Sequence, residues 1–285
     1  FLEGFFYVFN EINMLKELAH SIVKNQCPAF DLDKKLLEEW IHDLYDLLFS
    51  AKIKEEEILT QRLVDSQMIF NRLIEKVDRS SDVLRSISQQ YYEQLEVVFD
   101  ALMMDLDEFL ASDPAAFDKT EILLAYPGFY AIFIYRISHE ISKLGLPILA
   151  RVISEIGHRD TGIDIHPNAK IGTHFFIDHG TGIVIGQTAE LGNHVKIYQG
   201  VTLGALQVDR SYQFKKRHPT IGDQVTLYAN CTILGGETYI GKGSVIGGNV
   251  WLTKSVPPNS IVYHNPEVKV KSLDNSIKDY FDFVI

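Results

Sequence analysis

The chain has 285 residues, 46% hydrophobic and 23% charged, which supplies apolar material for a substantial core and a length that favours two domains over one. A formal net charge of -11 excludes a general binder of nucleic acid or anionic membrane, so an anionic ligand must meet a local cluster of cations. The two cysteines, Cys27 and Cys231, lie far apart and outside zinc-site spacings, which suits a reducing, cytoplasmic setting, and no apolar run reaches the length of a membrane span.

Residues 1–9 lack the basic start and small-residue cleavage site of a secretory leader, and a first residue other than Met points to a trimmed chain. From 11 to 157 the apolar residues recur three and four apart, as in Leu36, Leu37, Trp40, Ile41, Leu44, Leu47 and Leu48, and this period predicts an assembly of helices. Asp31 or Asp33 can cap that helix, while Pro28, Pro114, Pro127 and Pro147 mark helix starts or linkers. The stretch 82–110 reads as the longest helix, with Asp100, Asp105, Asp107 and Glu108 expected on a solvated face.

Near Ile163 the period changes. Ile165, Ile171, Ile177 and Ile183 fall every sixth residue; after a two-residue slip come Ile185, Leu191, Ile197 and Leu203. Ile221, Leu227 and Ile233 keep the step, as do Ile240, Ile246 and Leu252 after a one-residue slip. Small or β-branched residues such as Ala169, Val195, Val225, Cys231 and Ser244 follow four places behind, and glycine often comes directly after the aliphatic. A period of six fits neither an α-helix nor a half-buried strand; it predicts a parallel β-helix of hexapeptide repeats, with coils stacked at about 4.8 Å. The expected fold class is therefore α + β, with an α-helical domain at 1–160, a β-helix at 161–262 and a tail at 263–285.

Between Leu203 and Ile221 the in-phase positions are Asp209 and Lys215, which cannot fill an apolar prism, so 205–218 should leave the coil as a loop. It carries Arg210, Lys215, Lys216 and Arg217, a concentration suited to a carboxylate or phosphate, though equally to a solvated loop. Pro257 and Pro258 are expected to end the coils, and 272–285 to form a mobile tail.

Asp164-Ile165-His166 and Asp178-His179 place carboxylates and imidazoles on the first coils. His179 follows Asp164 by fifteen residues against eighteen for a coil, which puts both near one corner within reach of an Asp–His contact. A rival reading takes His174, His179 and His194, the last one coil above the first, as three ligands of a catalytic zinc. Otherwise His166 and His194 are expected to be structural.

The runs DIHPNAKIG (164–172), IDHGTGIVIGQTAELG (177–192), QGVTLGA (199–205) and KRHPTIGD (216–223) together resemble the serine O-acetyltransferases, and 112–139 resembles the part of that family's helical domain that meets its β-helix. The resemblance implies a left-handed β-helix that transfers acetyl from acetyl-CoA directly to the hydroxyl of L-serine, giving O-acetylserine and CoA for cysteine biosynthesis, with no metal. His179 matches the family's general base and Asp164 the carboxylate that orients it; Asp113 and Asp178 match positions at the substrate's amino group, Arg217 and His218 those at its carboxylate. Backbone around Gly204, Ala205, Ala229 and Gly248 is implied for the acyl donor. Two features depart from the commonest form: Ala205 stands where many relatives have a second glycine, and the loop to Arg217 is longer and more basic. The resemblance further implies feedback inhibition by L-cysteine, trimers paired into hexamers, and docking of the C-terminal Ile285 into O-acetylserine sulfhydrylase, with no nucleic-acid or membrane partner. A sibling acyltransferase acting on a sugar amine or an antibiotic and a non-catalytic scaffold are the other readings, which acetylation assays separate.

Overall fold

The computed structural model describes residues 15–25, 32–50, 55–75, 80–207, 209 and 215–265. Cys27, Pro28, Asp31, Arg210 and the tail from 266 through Ile285 lie outside the described residues. The chain divides into two compact units, Phe1–Glu96 and Val97–Ile285.

In the first unit a helix at 15–24 (α1) precedes α2 (Lys34–Phe49), α3 (Glu56–Ile74) and the start of α4 (Ser81–Ser112). Asp33 caps α2, its side chain accepting the Leu36 N–H at 3.0 Å, as the sequence allowed. The three-and-four spacing turns Leu37, Trp40, Ile41, Leu44 and Leu47 to the interior. There Trp40 stacks on Phe70 at 5.3 Å and Tyr91 on Phe70 at 4.8 Å. The buried indole N–H keeps a partner by donating to the Ser66 hydroxyl at 3.1 Å.

In the second unit the end of α4, α5 (Lys119–Ala125), α6 (Pro127–Lys143) and α7 (Pro147–Thr161) lead into fourteen short strands among the described residues. Pro127 and Pro147 stand at the starts of α6 and α7, where the missing N–H has no helical partner to lose. The strands form three parallel faces. The first holds β1 (Asp164–Ile165), β4 (Val184–Ile185), β7 (Thr202–Gly204), β10 (Thr232–Leu234) and β13 (Trp251–Leu252). The second holds β2 (Lys170–Ile171), β5 (Glu190–Leu191), β8 (Thr220–Ile221) and β11 (Tyr239–Ile240). The third holds β3 (Phe176–Asp178), β6 (Lys196–Tyr198), β9 (Thr226–Leu227), β12 (Val245–Ile246) and β14 (Ile261–Val262).

This is the hexapeptide β-helix the period called for: Ile165, Ile177, Ile185, Leu191, Ile197, Leu203, Ile221, Leu227, Ile233, Ile240 and Ile246 fill the prism, with Ala169, Val195, Val225, Cys231 and Ser244 buried behind them. Asp164 pairs with Val184, twenty residues on, and Val184 with Thr202, eighteen on. The two-residue slip is therefore an enlarged corner, 179–183, between β3 and β4. From β7 to β10 the step is thirty residues, because the chain leaves the coil between Gly204 and Thr220. Pro257 and Pro258 do not end the coils as expected; beyond them β14 still pairs with β12, Ile261 opposite Val245. The prolines lie between ladder positions, where no N–H is required.

One expectation for α4 is corrected. Asp105 is fully buried, and Glu108 nearly so. The helical period sets Asp105 on the same face as Leu102, Leu106 and Phe109, all buried in the second unit, so its charge had to be answered inside. Arg136 answers it with Nε at 2.5 Å and Nη2 at 2.8 Å, and the Phe175 N–H adds a bond at 2.8 Å. Glu108 meets His194 at 2.9 Å, Lys196 at 3.2 Å and the Ser112 hydroxyl at 2.9 Å. Asp100 and Asp107 do face solvent.

Candidate active site

The enlarged corner carries the candidate base. His179 follows Asp178, the last residue of β3, at φ 58, and Gly180 follows at φ 83. Two successive left-handed residues reverse the chain sharply, which the glycine makes affordable. The turn leaves the His179 side chain 70% exposed, its Nδ1 3.5 Å from Asp178 Oδ1. Asp113, just past α4, has both carboxylate oxygens engaged: Oδ1 accepts the Ala115 N–H at 2.8 Å and Oδ2 accepts the Tyr126 hydroxyl at 2.6 Å. The Tyr126 phenol is pushed up to about 12, first by that hydrogen bond, then by burial and the negative charges of Asp113, Glu121 and Asp178. One coil above Asp178 stands Tyr198, stacked on Tyr228 at 5.0 Å; burial first, then Tyr228, Asp178 and Asp113, raise its phenol. Asp113, Tyr126, Asp178, His179 and Tyr198 thus form one neighbourhood. Sequence reasoning missed both tyrosines, although the twenty-residue step from Asp178 to Tyr198 was a usable signal.

Asp164 does not join this group. Among the described residues no hydrogen bond links it to His179, and its carboxylate converges instead on Glu155 and His158, the ligand atoms of the three lying within 4.8 Å of one another. The expected contact assumed an eighteen-residue coil, whereas this coil has twenty and the surplus lies beside His179.

Arg217 and His218 lie at a different corner, between the first and second faces. His218 Nδ1 accepts the Thr188 N–H at 3.1 Å and faces the Thr188 hydroxyl at 2.8 Å, while the Thr188 oxygen accepts the backbone N–H groups of Arg217 and His218 at 3.0 and 3.1 Å. Arg217 Nη2 donates to Gln187 Oε1 at 2.6 Å, and Lys216 Nζ donates to the Thr188 carbonyl at 2.6 Å. The ring of His218 lies so close to Gly186 that a Cβ there would stand 2.0 Å from its Cδ2. Burial, then Arg217 and Lys216, lower His218 to about 4. His166 at the same corner is also lowered to about 4, by burial and then by Arg151, Arg217 and His218. Two neutral imidazoles therefore sit among guanidinium groups, a setting for a carboxylate.

The residues that the resemblance implies for an acyl donor are divided likewise. Gly204 and Ala205 enter the loop beside a groove of about 650 Å³ lined by Leu206, Lys216, Arg217, Thr238 and Lys254. Ala229 and Gly248 lie at the corner of His179, stacked so that a Cβ on Gly248 would be 3.1 Å from the Ala229 carbonyl. The third corner carries His174 and His194, stacked at 4.2 Å, with His194 held by Glu108. Since His179 belongs to another corner, the three imidazoles of the zinc reading do not converge. No helix of the described residues is long and apolar enough to cross a membrane.

Residues 34–133 match the family model described as serine acetyltransferase, N-terminal. The chain is 48% identical over 181 residues to the plasmid serine acetyltransferase of Synechococcus elongatus, covering 62% of this chain and 56% of that protein. It is 44% identical over 168 residues to the serine acetyltransferase of Bacillus pumilus, covering 59% and 75%. Among solved structures, serine acetyltransferase isoform 3 of Entamoeba histolytica in complex with cysteine superposes at TM-score 0.75 with 32% identity, covering 83% of this chain and 84% of that one. The Neisseria gonorrhoeae enzyme in complex with serine gives TM-score 0.58, 30% identity and coverage of 85% and 98%. The Brucella abortus enzyme in complex with coenzyme A gives 0.59, 27%, and 91% and 89%.

Proposed function

As the chain belongs to the serine acetyltransferase family, we propose that it transfers the acetyl group of acetyl-CoA to the hydroxyl of L-serine, releasing O-acetylserine and CoA. The observation that carries this reading is the exposed His179 beside Asp178, with the braced carboxylate of Asp113 in the same neighbourhood. An imidazole there can take the proton of a serine hydroxyl while the carboxylates hold the substrate ammonium. The hydroxyl oxygen attacks the thioester carbon as His179 takes its proton. The tetrahedral intermediate then expels the CoA thiolate, which recovers the proton from the imidazolium. No enzyme nucleophile is required, in keeping with Cys231, which is fully buried and pushed up to about 12 by burial. Asp164, at the start of the first coil, is assigned to orienting the His179 ring.

Arg217 and His218 are assigned to the substrate carboxylate, although one chain holds them at a different corner from His179. A complete pocket therefore needs the corner of a second copy, which supports a trimer through the β-helix faces, where Val184, Tyr239 and Trp251 stand exposed. Pairing of trimers into hexamers through the helical residues 1–160 extends the same reading, with 161–262 as the catalytic segment. The CoA complex of the Brucella enzyme supports a CoA donor, and the groove of Lys216 and Lys254, whose ammonium groups suit phosphates, is the site proposed for it. L-Cysteine carries the same ammonium and carboxylate as L-serine, and the cysteine complex of the Entamoeba enzyme supports feedback inhibition at the serine site. A place in cysteine biosynthesis in the cytoplasm follows from this reading. So does docking of the tail 263–285 on O-acetylserine sulfhydrylase by capture of the Ile285 carboxylate; deletion of Ile285 should abolish that binding in a titration, and undiminished binding would refute it.

The decisive experiment measures free CoA from acetyl-CoA and L-serine with the purified chain. Serine-dependent release is expected. Release with a sugar amine and not with L-serine would identify a sibling acyltransferase, and a folded chain without turnover would be a scaffold.

A further inference from the structure

We propose that Tyr126 is a positioning residue for the amino end of the substrate: its hydroxyl fixes the Asp113 carboxylate in the orientation that selects an α-ammonium. The inference rests on the assignment of Asp113 to the serine amino group made above. Tyr126 is the single residue between α5 and α6, closing the first through its backbone N–H to the Ile122 carbonyl and opening the second without a side-chain cap bond. Short polar side chains at such a position cap the helix they open, a task for which a phenol is poorly suited. Here the side chain reaches Asp113 instead, and the 2.6 Å bond is answered on the other carboxylate oxygen by the Ala115 N–H. With one bond on each oxygen the carboxylate cannot rotate, yet each oxygen keeps a lone pair for a substrate N–H.

The start of α6 also registers this pair against the base. Two residues after Tyr126, Gly128 packs so tightly on β3 that a Cβ would stand 2.4 Å from the Ile177 carbonyl, and Ile177 immediately precedes Asp178 and His179. Phe109 meets the Tyr126 ring edge to face, at 6.2 Å and 75°, and sets its plane. With its phenol held near 12, Tyr126 stays a donor throughout the working pH range.

The test is Tyr126→Phe, which removes one oxygen and keeps the ring, compared with Asp113→Asn and the double variant. Tyr126→Phe should raise the KM for L-serine and the inhibition constant for L-cysteine about tenfold, as loss of a hydrogen bond to a charged group does. The fall in kcat should not exceed about twofold, and the KM for acetyl-CoA and the thermal midpoint should hold. Inhibition by 3-mercaptopropionate, which lacks the ammonium, should not change, and the double variant should bind serine no worse than Asp113→Asn alone. An unchanged serine KM, additive effects in the double variant, or a loss shared equally by serine, 3-mercaptopropionate and acetyl-CoA would overturn the proposal. Wild-type chain without serine-dependent CoA release would instead remove the functional reading beneath it.

Discussion

His179 occupies a left-handed backbone position with its ring exposed, so its substitution removes chemistry without opening a cavity. His179→Asn should lower kcat by at least about a hundredfold with little change in thermal midpoint; near-normal turnover would reassign the base. At the neighbouring corner, the lowered values of His218 and His166, both about 4, make a statement about stability. The unfolded chain, whose histidines titrate near 6.5, binds more protons than the folded chain between about 6.5 and 4. Stability from these rings is therefore complete above about 6.5 and is lost as pH falls toward 4. Glu108 extends the loss to lower pH. Burial opposes its charge, but bonds from His194, Ser112 and Lys196 outweigh it and hold the carboxyl below its ordinary value. Thermal midpoints measured from pH 7 to 4 should fall, and His218→Gln should make that fall shallower; a flat profile would show that the rings remain hydrated.

Among the elements, close approach at glycine decides where the functional side chains go. Gly186, directly after β4, leaves room for the His218 ring that the returning loop lays across it. An added methyl at 2.0 Å from Cδ2 cannot be absorbed, because Thr188 holds the far side of that ring with two bonds. Gly186→Ala should cost about 1–3 kcal/mol of stability, the usual range for overpacking, and raise the serine KM by displacing His218. Calorimetry together with steady-state kinetics checks both; an alanine variant with normal midpoint and KM would show that the loop yields instead.

For the whole molecule, a face of the prism separates His179 from Arg217 within one chain. If neighbouring copies complete each other's sites, His179→Asn and Arg217→Ala chains, each inactive alone, should form working pockets when unfolded together and co-refolded. Random mixing in equal amounts pairs an intact base with an intact carboxylate site in about a quarter of pockets, so roughly a quarter of wild-type activity should return. Absence of complementation in mixed trimers confirmed by light scattering would place the whole site within one chain.

Much of this was legible in residue order. A six-residue aliphatic step survives any tertiary detail because the prism repeats one local environment coil after coil, so the β-helix, the presence of a two-residue slip and the departure of the loop after Gly204 could be read directly, whereas the strand register moved the slip from Ile183–Ile185 to the corner at 179–183. The helical period announced α2 for the same reason, that the forces are local, and the choice of Asp33 over Asp31 as its cap came from the structure. What the tertiary structure decided depended on where one element meets another. Asp105 and Glu108 read as solvated until the first coils were seen to cover that side of α4, with Arg136, His194 and Lys196 supplying the countercharge. The placement of the Asp164 carboxylate beside Glu155 and His158 could not be read from a mean coil length, because it depends on how α7 meets the first coil. The bond from Tyr126 to Asp113 joins residues thirteen apart, with no periodic relation, across a helix junction. Repetition is written into sequence, whereas the closure of a polar side chain onto a distant partner is set by the packing that brings the two together.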